Sequence, residues 1–348
     1  MKQKFNKGYV ECIAPSNIAL VKYWGKKQTQ IPLNSSISFS LSACQTKTKA
    51  EFSFGQGERN INFFFHGEKT PSFIPKIETF ITRVEKLYPW LSEVEELTLK
   101  SENSFPHSSG IASSASAFAA LAYCFEVTSC KLEGHEFNHS RASEAARLGS
   151  GSACRSVFGN YNLWGELSAT NGNNSCSQEL NNIHKNFRNV RDAICIASSG
   201  EKSVGSTAGH ALMNGHVYGE QRIEQAQQNC TSLLNYLEKG DLWKAGEIIE
   251  EEALSLHALM MSSRPSFILM KPNTLKMIEI VRNFRQTQNI PVFFTLDAGP
   301  NPHIIYFEEG ASLVESKLLE ELRPHCEQGR IIMDSVGAGP KVLESFFE

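Results

Sequence analysis

No stretch of this sequence approaches the roughly 20 consecutive apolar residues of a membrane-spanning helix. Helical membrane proteins are thereby excluded, no membrane partner is expected, and the expected compartment is the cytoplasm. The opening Met1-Lys2-Gln3-Lys4-Phe5-Asn6-Lys7 is basic but has no apolar segment behind it, so no secretory leader is expected. Excess charge is lacking too: 34 Lys and Arg stand against 37 Asp and Glu, for a formal net charge of -3. With the two signs interspersed there is no basic face for nucleic acid and no charged tail for a tether. Any anionic ligand must then be held by a local cluster. CxxC pairs are absent. The nine cysteines (Cys12, Cys44, Cys124, Cys130, Cys154, Cys176, Cys195, Cys230 and Cys326) are odd in number and scattered. That favours reduced thiols in a cytosol over disulfides or a zinc site. There is no internal repeat, no low-complexity tract and no dinucleotide-binding glycine fingerprint. Nor is there a Walker loop, which would need Lys-Ser or Lys-Thr after its last glycine.

What is present suggests two lobes, because 348 residues exceed a usual single core. Residues 36–41 and 47–54 alternate with period two, and 9–14 form an apolar run ended by Pro15; these are expected strands, with others over 61–65 and 95–101. Ile77, Phe80, Ile81, Val84 and Leu87 recur at helical spacing, and Pro89 helps to stop that helix. Helices are also expected over 136–148 and, briefly, 150–157, with a strand over 161–165. The second half opens with a strand at 193–197. It continues with helical patterns over 221–237, 242–261 and from Pro272 through Arg285, strands at 292–296, 303–307 and 331–334, and a helix over 313–322. A composition shift across 180–191 puts the expected boundary between lobes 1–188 and 189–348. A strand-rich first half and a helix-rich second half with late strands predict an α+β fold.

Four stretches could carry chemistry. Pro106-His107-Ser108-Ser109-Gly110-Ile111-Ala112-Ser113-Ser114-Ala115-Ser116 leads into an apolar helix expected to begin at Ile111 or shortly after. Small residues before a helix N-terminus let backbone N–H groups approach an anion; the same composition also serves close packing. Asp297 ends an apolar strand just before Ala298-Gly299-Pro300, where its carboxylate can act as a base or merely cap the turn. Arg155 follows Gly149-Ser150-Gly151-Ser152-Ala153-Cys154, a loop whose small residues admit a ligand, and its planar fork suits a carboxylate or phosphate; a solvated surface arginine is the alternative. Lys22 and Lys26 flank Tyr23-Trp24-Gly25 after an apolar run, and snorkelling beside core aromatics would account for them equally. His107, His210 and His216 show no metal-ligand spacing.

Together and in this order, Ala14-Pro15-Ser16-Asn17 through Lys26, the serine stretch, Gly149 to Arg155 and Thr295-Leu296-Asp297-Ala298-Gly299-Pro300-Asn301 resemble the diphosphomevalonate decarboxylase family. That family lies in the superfamily of galactokinase, homoserine kinase, mevalonate kinase and phosphomevalonate kinase. The likeness runs from about Ile13 to Pro340. It implies a two-lobed kinase-like fold with a ribosomal-protein-like N-terminal lobe and an α/β sandwich C-terminal lobe. The implied activity is ATP- and magnesium-dependent conversion of 5-diphosphomevalonate, a small-molecule substrate, to isopentenyl diphosphate, and a homodimer is possible. The resemblance makes Asp297 the group at the tertiary hydroxyl, Lys22 its cationic neighbour and Arg155 the holder of the departing carboxylate. Tyr23, Trp24, Gly25, Lys26, Ser150, Gly151, Ser152, Ala153, Cys154, Ser206 and Thr207 become substrate contacts. Ser101, Asn103, Gly110, Ala112, Ser113 and Ser114 become nucleotide contacts, with Ser114 at the magnesium. Two departures stand out: His107-Ser108-Ser109-Gly110 replaces Thr-Ala-Ala-Gly, and the stretch from His210 to His216 replaces a Gly-Met segment. A related kinase that stops after phosphorylation, or a nucleotide-binding regulatory protein, are the competing expectations.

Overall fold

The computed structural model describes residues 5–106, 111–168, 170–200 and 205–348, with the backbone alone for Gln28, Ser206 and Thr207. Alternating apolar residues lay down the first sheet. Its strands in the first half are β1 (Lys7–Val21), β2 (Ser36–Phe54), β3 (Asn60–Phe65) and β4 (Glu68–Lys69). After α1 (Ile74–Val84) come β5 (Val94–Asn103), α2 (Ser113–Glu133), α3 (His139–Gly149), β6 (Tyr161–Trp164) and β7 (Ser177–Glu179). The second half runs β8 (Arg191–Cys195), α4 (Ser206–Ala211), α5 (Gly219–Lys239), α6 (Leu242–Ser262), α7 (Pro272–Gln288), β9 (Val292–Thr295) and β10 (His303–Tyr306). A helical segment over 311–322, β11 (Ile331–Ser335) and β12 (Lys341–Phe347) complete it.

Eight strands form the first sheet in the order β12-β1-β2-β5-β3-β4, with β6 against the start of β2 and β7 beyond it. The pairing is antiparallel except for β3 with β5. The second sheet, β11-β8-β10-β9, is antiparallel throughout. Although β11 belongs to the second sheet, β12 returns to pair with β1, placing the last strand beside the first.

Two expectations are corrected. Pro15 does not end β1, which continues to Val21 with both faces buried. The missing N–H is tolerated because β12 pairs with β1 only as far as Ile13 and the β1–β2 register shifts between Pro15 and Asn17. The helix expected from residue 136 starts at His139, where the Asn138 side chain accepts the Arg141 N–H at 3.0 Å and caps the first turn.

Packing fixes where a site can form. One core lies between the first sheet and α1 and α2, where Phe52, Phe80, Trp90 and Phe125 interlock. A second joins Ile18, Leu20, Val21 and Phe39 of the first sheet to Ala226, Leu233 and Ile249 of α5 and α6 and to Phe293 of β9, so the two sheets share one apolar body. A third covers the other face of the second sheet with α7 and the 311–322 segment. The nine cysteines form no disulfide, and among the described residues no helix is long and apolar enough to cross a membrane.

Candidate active site

Where the two sheets meet, side chains far apart in the chain border one cavity of about 650 Å3. Lys22 is the residue after β1, Arg155 lies in the short 3-10 helix Gly151–Val157, and Asp297 follows β9 by two residues. Lys22 is 1% exposed. Its Nζ donates to the Ala19 carbonyl at 2.6 Å and to Asp297 Oδ1 at 3.1 Å. Burial pushes the Lys22 pKa down, and the carboxylate of Asp297 works against that shift. A tight turn in which the Gly299 N–H donates to the Asp297 carbonyl at 2.7 Å ends the buried strand, and Asp297 borders the cavity there. From α6, His257 Nε2 donates to the same carbonyl at 3.1 Å.

Arg155 is 2% exposed, with its guanidinium 5.8 Å from the Trp164 ring. Nε and Nη2 donate to Asn17 Oδ1 at 3.3 and 3.2 Å, and Nη1 to Ser36 Oγ at 2.6 Å. All of these acceptors are neutral. Among the described residues no carboxylate pairs with this guanidinium directly, and of the carboxylates only the field of Asp297 across the cavity offsets its burial; isolated buried charge is costly, so the site suits an anion supplied from outside.

A second group of cations gathers along the same cavity. Lys26, Lys76 and Arg83 border it; Lys26 Nζ donates to Gln30 Oε1 at 2.8 Å and Arg83 Nη1 to the Leu148 carbonyl at 2.9 Å. Lys76 Nζ lies 5.6 Å from the Phe118 ring centre. Burial lowers the pKa of Lys26, and the positive fields of Arg83 and Lys76 lower it further; burial does the same to Lys76. Such crowding, with none of the three in an ion pair among the described residues, is the electrostatic setting for a polyanion.

A smaller, largely apolar cavity of about 180 Å3 adjoins the first. Phe63, Phe65, Phe73, Leu99 and Phe118 form its walls, and Ser101 and Asn103 also border it. Lys76, Ser113 and Ser114 border both cavities. Ala112, at φ 45, turns the chain into α2, and among the described residues no side chain caps the N-terminus of that 21-residue helix. Its first N–H groups and its dipole therefore favour an anion at the junction. Ser114 Oγ lies 3.2 Å from Ser150 Oγ, giving hard oxygen donors of the type that magnesium takes alongside phosphate oxygens.

Tyr23, Trp24, Lys26, Ala112, Ser150, Gly151 and Ser152 also border the larger cavity. A Cβ at Gly151 would lie 2.7 Å from the Tyr23 hydroxyl, itself buried without a hydrogen-bond partner. Gly25, Ala153 and Cys154 stand behind the wall: the Gly25 N–H donates to His210, and Cys154 Sγ to the Gly151 carbonyl. Ser206 and Thr207 open α4, but their side chains lie outside the described part, as do Gly110 and the preceding His107-Ser108-Ser109. Sequence reasoning missed Asn17, Lys76, Thr79 and Arg83 as cavity residues. Positions 76, 79 and 83 follow one another on one side of α1, a spacing that could have signalled them.

Comparison with known proteins adds to this geometry. Residues 14–177 match the model of a diphosphomevalonate decarboxylase-like N-terminal domain, and residues 193–335 that of a mevalonate 5-diphosphate decarboxylase C-terminal domain. The chain belongs to the diphosphomevalonate decarboxylase family. It is 30% identical to the diphosphomevalonate decarboxylase of Candida albicans, with 94% of this chain and 96% of that one covered. The mevalonate diphosphate decarboxylase structure from Staphylococcus aureus superposes with a TM-score of 0.84 at 26% identity, covering 97% of this chain and 98% of that one. A solved complex of a protein designated MDDEF with MVAPP, AMPPCP and magnesium superposes at 0.83 with 27% identity, covering 97% and 99%. The architecture is thus the α+β fold of the family. The enzyme is an ATP-dependent diphosphomevalonate decarboxylase.

Proposed function

We propose that the two cavities divide the reaction between them, the smaller taking the nucleoside of ATP and the larger taking 5-diphosphomevalonate. Ser113 and Ser114 receive the phosphates where the cavities meet. The observation that carries this assignment is the buried Arg155 guanidinium, which among the described residues forms no ion pair, in one cavity with the Lys22–Asp297 pair. The bound AMPPCP and magnesium of the related complex agree with the oxygen donors at that junction.

Asp297 orients the tertiary hydroxyl of the substrate and takes its proton as the oxygen attacks the terminal phosphoryl group of ATP. Lys22 fixes the Asp297 carboxylate, while Arg155 binds the substrate carboxylate through the donors it has not used on Asn17 and Ser36. Phosphorylation turns a poor leaving group into a good one. As phosphate departs, positive charge builds on the tertiary carbon; loss of carbon dioxide delivers the electron pair that becomes the double bond of isopentenyl diphosphate. Lys26, Lys76 and Arg83 hold the diphosphate, so the reacting end is placed rather than merely retained. The Ser114 hydroxyl would help to hold magnesium, which would supply positive charge against that of the transferring group.

The test is incubation of the purified protein with ATP, magnesium and, separately, mevalonate, its monophosphate and its diphosphate. Mass spectrometry should find isopentenyl diphosphate, with carbon dioxide and ADP in equal amounts, from the diphosphate alone. A phosphorylated product without carbon dioxide would overturn the reading in favour of a kinase. ATP binding without ADP formation from any of the three would point to a regulatory protein.

A further inference from the structure

The short helix α4 is pressed against the Tyr23-Trp24-Gly25 turn. A Cβ on Gly209 would lie 2.5 Å from the Trp24 ring, so backbone and indole are in direct contact. This wedges the His210 imidazole between two aromatic rings, with centroids 4.4 Å from Tyr23 and 4.6 Å from Trp24. Its Nδ1 accepts the Gly25 N–H at 2.9 Å. A ring nitrogen that accepts carries no proton, so the neutral ring must carry its proton on Nε2. Among the described residues Nε2 has no hydrogen-bond partner and is not sealed from solvent, and His210 borders the larger cavity. Burial, followed by the field of Lys26, pushes the His210 pKa down to about 3. The ring is therefore neutral at physiological pH, with one fixed donor to offer.

We propose that His210 is a substrate-binding residue whose Nε2–H donates to a diphosphate oxygen of the substrate beside Lys26. The inference rests on the division of the cavities given above and adds to it a residue in the stretch that departs from the family's pattern. Lys26, Lys76 and Arg83 already crowd this region with positive charge, and a fourth cation would be repelled by the three. A neutral donor adds a directional bond without that cost. Clamped by two rings and a backbone amide, the imidazole loses little freedom when it binds, which is the condition for a bond that sets substrate depth. Depth matters because the opposite end of the substrate must reach Asp297 and Arg155.

Two substitutions separate binding from scaffolding. His210→Asn keeps an acceptor for the Gly25 N–H but is too short to present a donor where Nε2 lies. His210→Gln restores a donor near Nε2 and gives up the Gly25 contact. The expected result for Asn is a KM for diphosphomevalonate raised about ten- to hundredfold, the range for a hydrogen bond to a charged group. Its kcat should stay within about threefold and its KM for ATP should not change, and Gln should recover most of the loss. An Asn variant with native KM, or one that loses kcat and ATP affinity together while Gln is no better, would overturn the proposal. Nitrogen-15 NMR of the imidazole gives a readout independent of turnover: diphosphomevalonate should shift Nε2 and leave Nδ1 in place, and an unmoved Nε2 contradicts the proposal. The wild type is the control for the underlying reading. If it releases no carbon dioxide from diphosphomevalonate, that reading fails whatever the variants do; if it does and Asn behaves as wild type, the His210 assignment alone fails.

Discussion

The backbone N–H of Lys22 donates to Glu252 Oε2 at 2.8 Å, tying the residue after β1 to the middle of α6. Arg222 grips the same carboxylate with Nη1 and Nη2 at 2.9 and 2.5 Å, and Asn229 Nδ2 adds a bond of 2.7 Å. Glu252 is fully buried and Arg222 nearly so. The carboxylate thus anchors the backbone of the cavity lysine. Glu252→Gln leaves the Arg222 cation without a counter-charge and should cost about 3–5 kcal/mol of stability, measured by urea unfolding. Adding Arg222→Met to it should recover part of the loss; a single variant as stable as wild type would contradict this account.

Asp297→Asn removes the proposed base and the charge facing Lys22 while keeping the shape. Turnover should fall by about 10²- to 10⁴-fold. The KM for ATP should stay within about threefold, because the smaller cavity, proposed above for the nucleoside, does not include residue 297. Steady-state assays following ADP release check both values, and near-native turnover would remove Asp297 from the mechanism.

Lys76 borders both cavities, whereas Arg83 borders only the larger one. Arg83→Ala should raise the KM for diphosphomevalonate by roughly tenfold, the scale of one charge-assisted hydrogen bond, and leave that for ATP alone. Lys76→Ala should raise both. Kinetics with each substrate varied in turn will show whether the two variants differ in this way.

Acid should weaken the fold through His210. The unfolded chain takes up a proton at this position near pH 6.5, whereas the folded chain holds out to about pH 3. Between these values only the unfolded state is protonated, so stability is present above about pH 6.5 and drains away as pH falls. At pH 5 the difference is 1.5 pH units, or about 2 kcal/mol. Urea midpoints at pH 7 and pH 5 should differ by less in His210→Asn than in the wild type.

Much of the frame was legible because burial on one face writes itself into the sequence. The alternation in β2 and the helical spacing of Ile77, Phe80, Ile81 and Val84 in α1 both answer to cores that form as expected. Pro15 misled because its tolerance depends on what pairs beside it. The last strand went unread: β12 is exposed or half-exposed along its whole length, and only Val342 and Phe347 of its apolar residues pack against the core, so no regular alternation marks it. In the site, Lys22, Arg155 and Asp297 were ambiguous as single residues, since what unites them is a meeting of segments up to 275 residues apart. Lys76 and Arg83 lay on a helix read only for its apolar face. His210 was noted as a departure, but its clamp between Tyr23 and Trp24 exists only in three dimensions.

The serine turn at 112–114 and the guanidinium at 155 both come from the first half of the chain, whereas the carboxylate at 297 arrives with the second sheet. In a polypeptide still emerging from the ribosome, the residues proposed to meet the nucleotide are therefore all made before the proposed proton acceptor. β12 comes later still, pairing with the outer edge of β1 as far as Ile13. The group proposed to take the substrate proton is thus placed only when both halves of the chain have folded against each other.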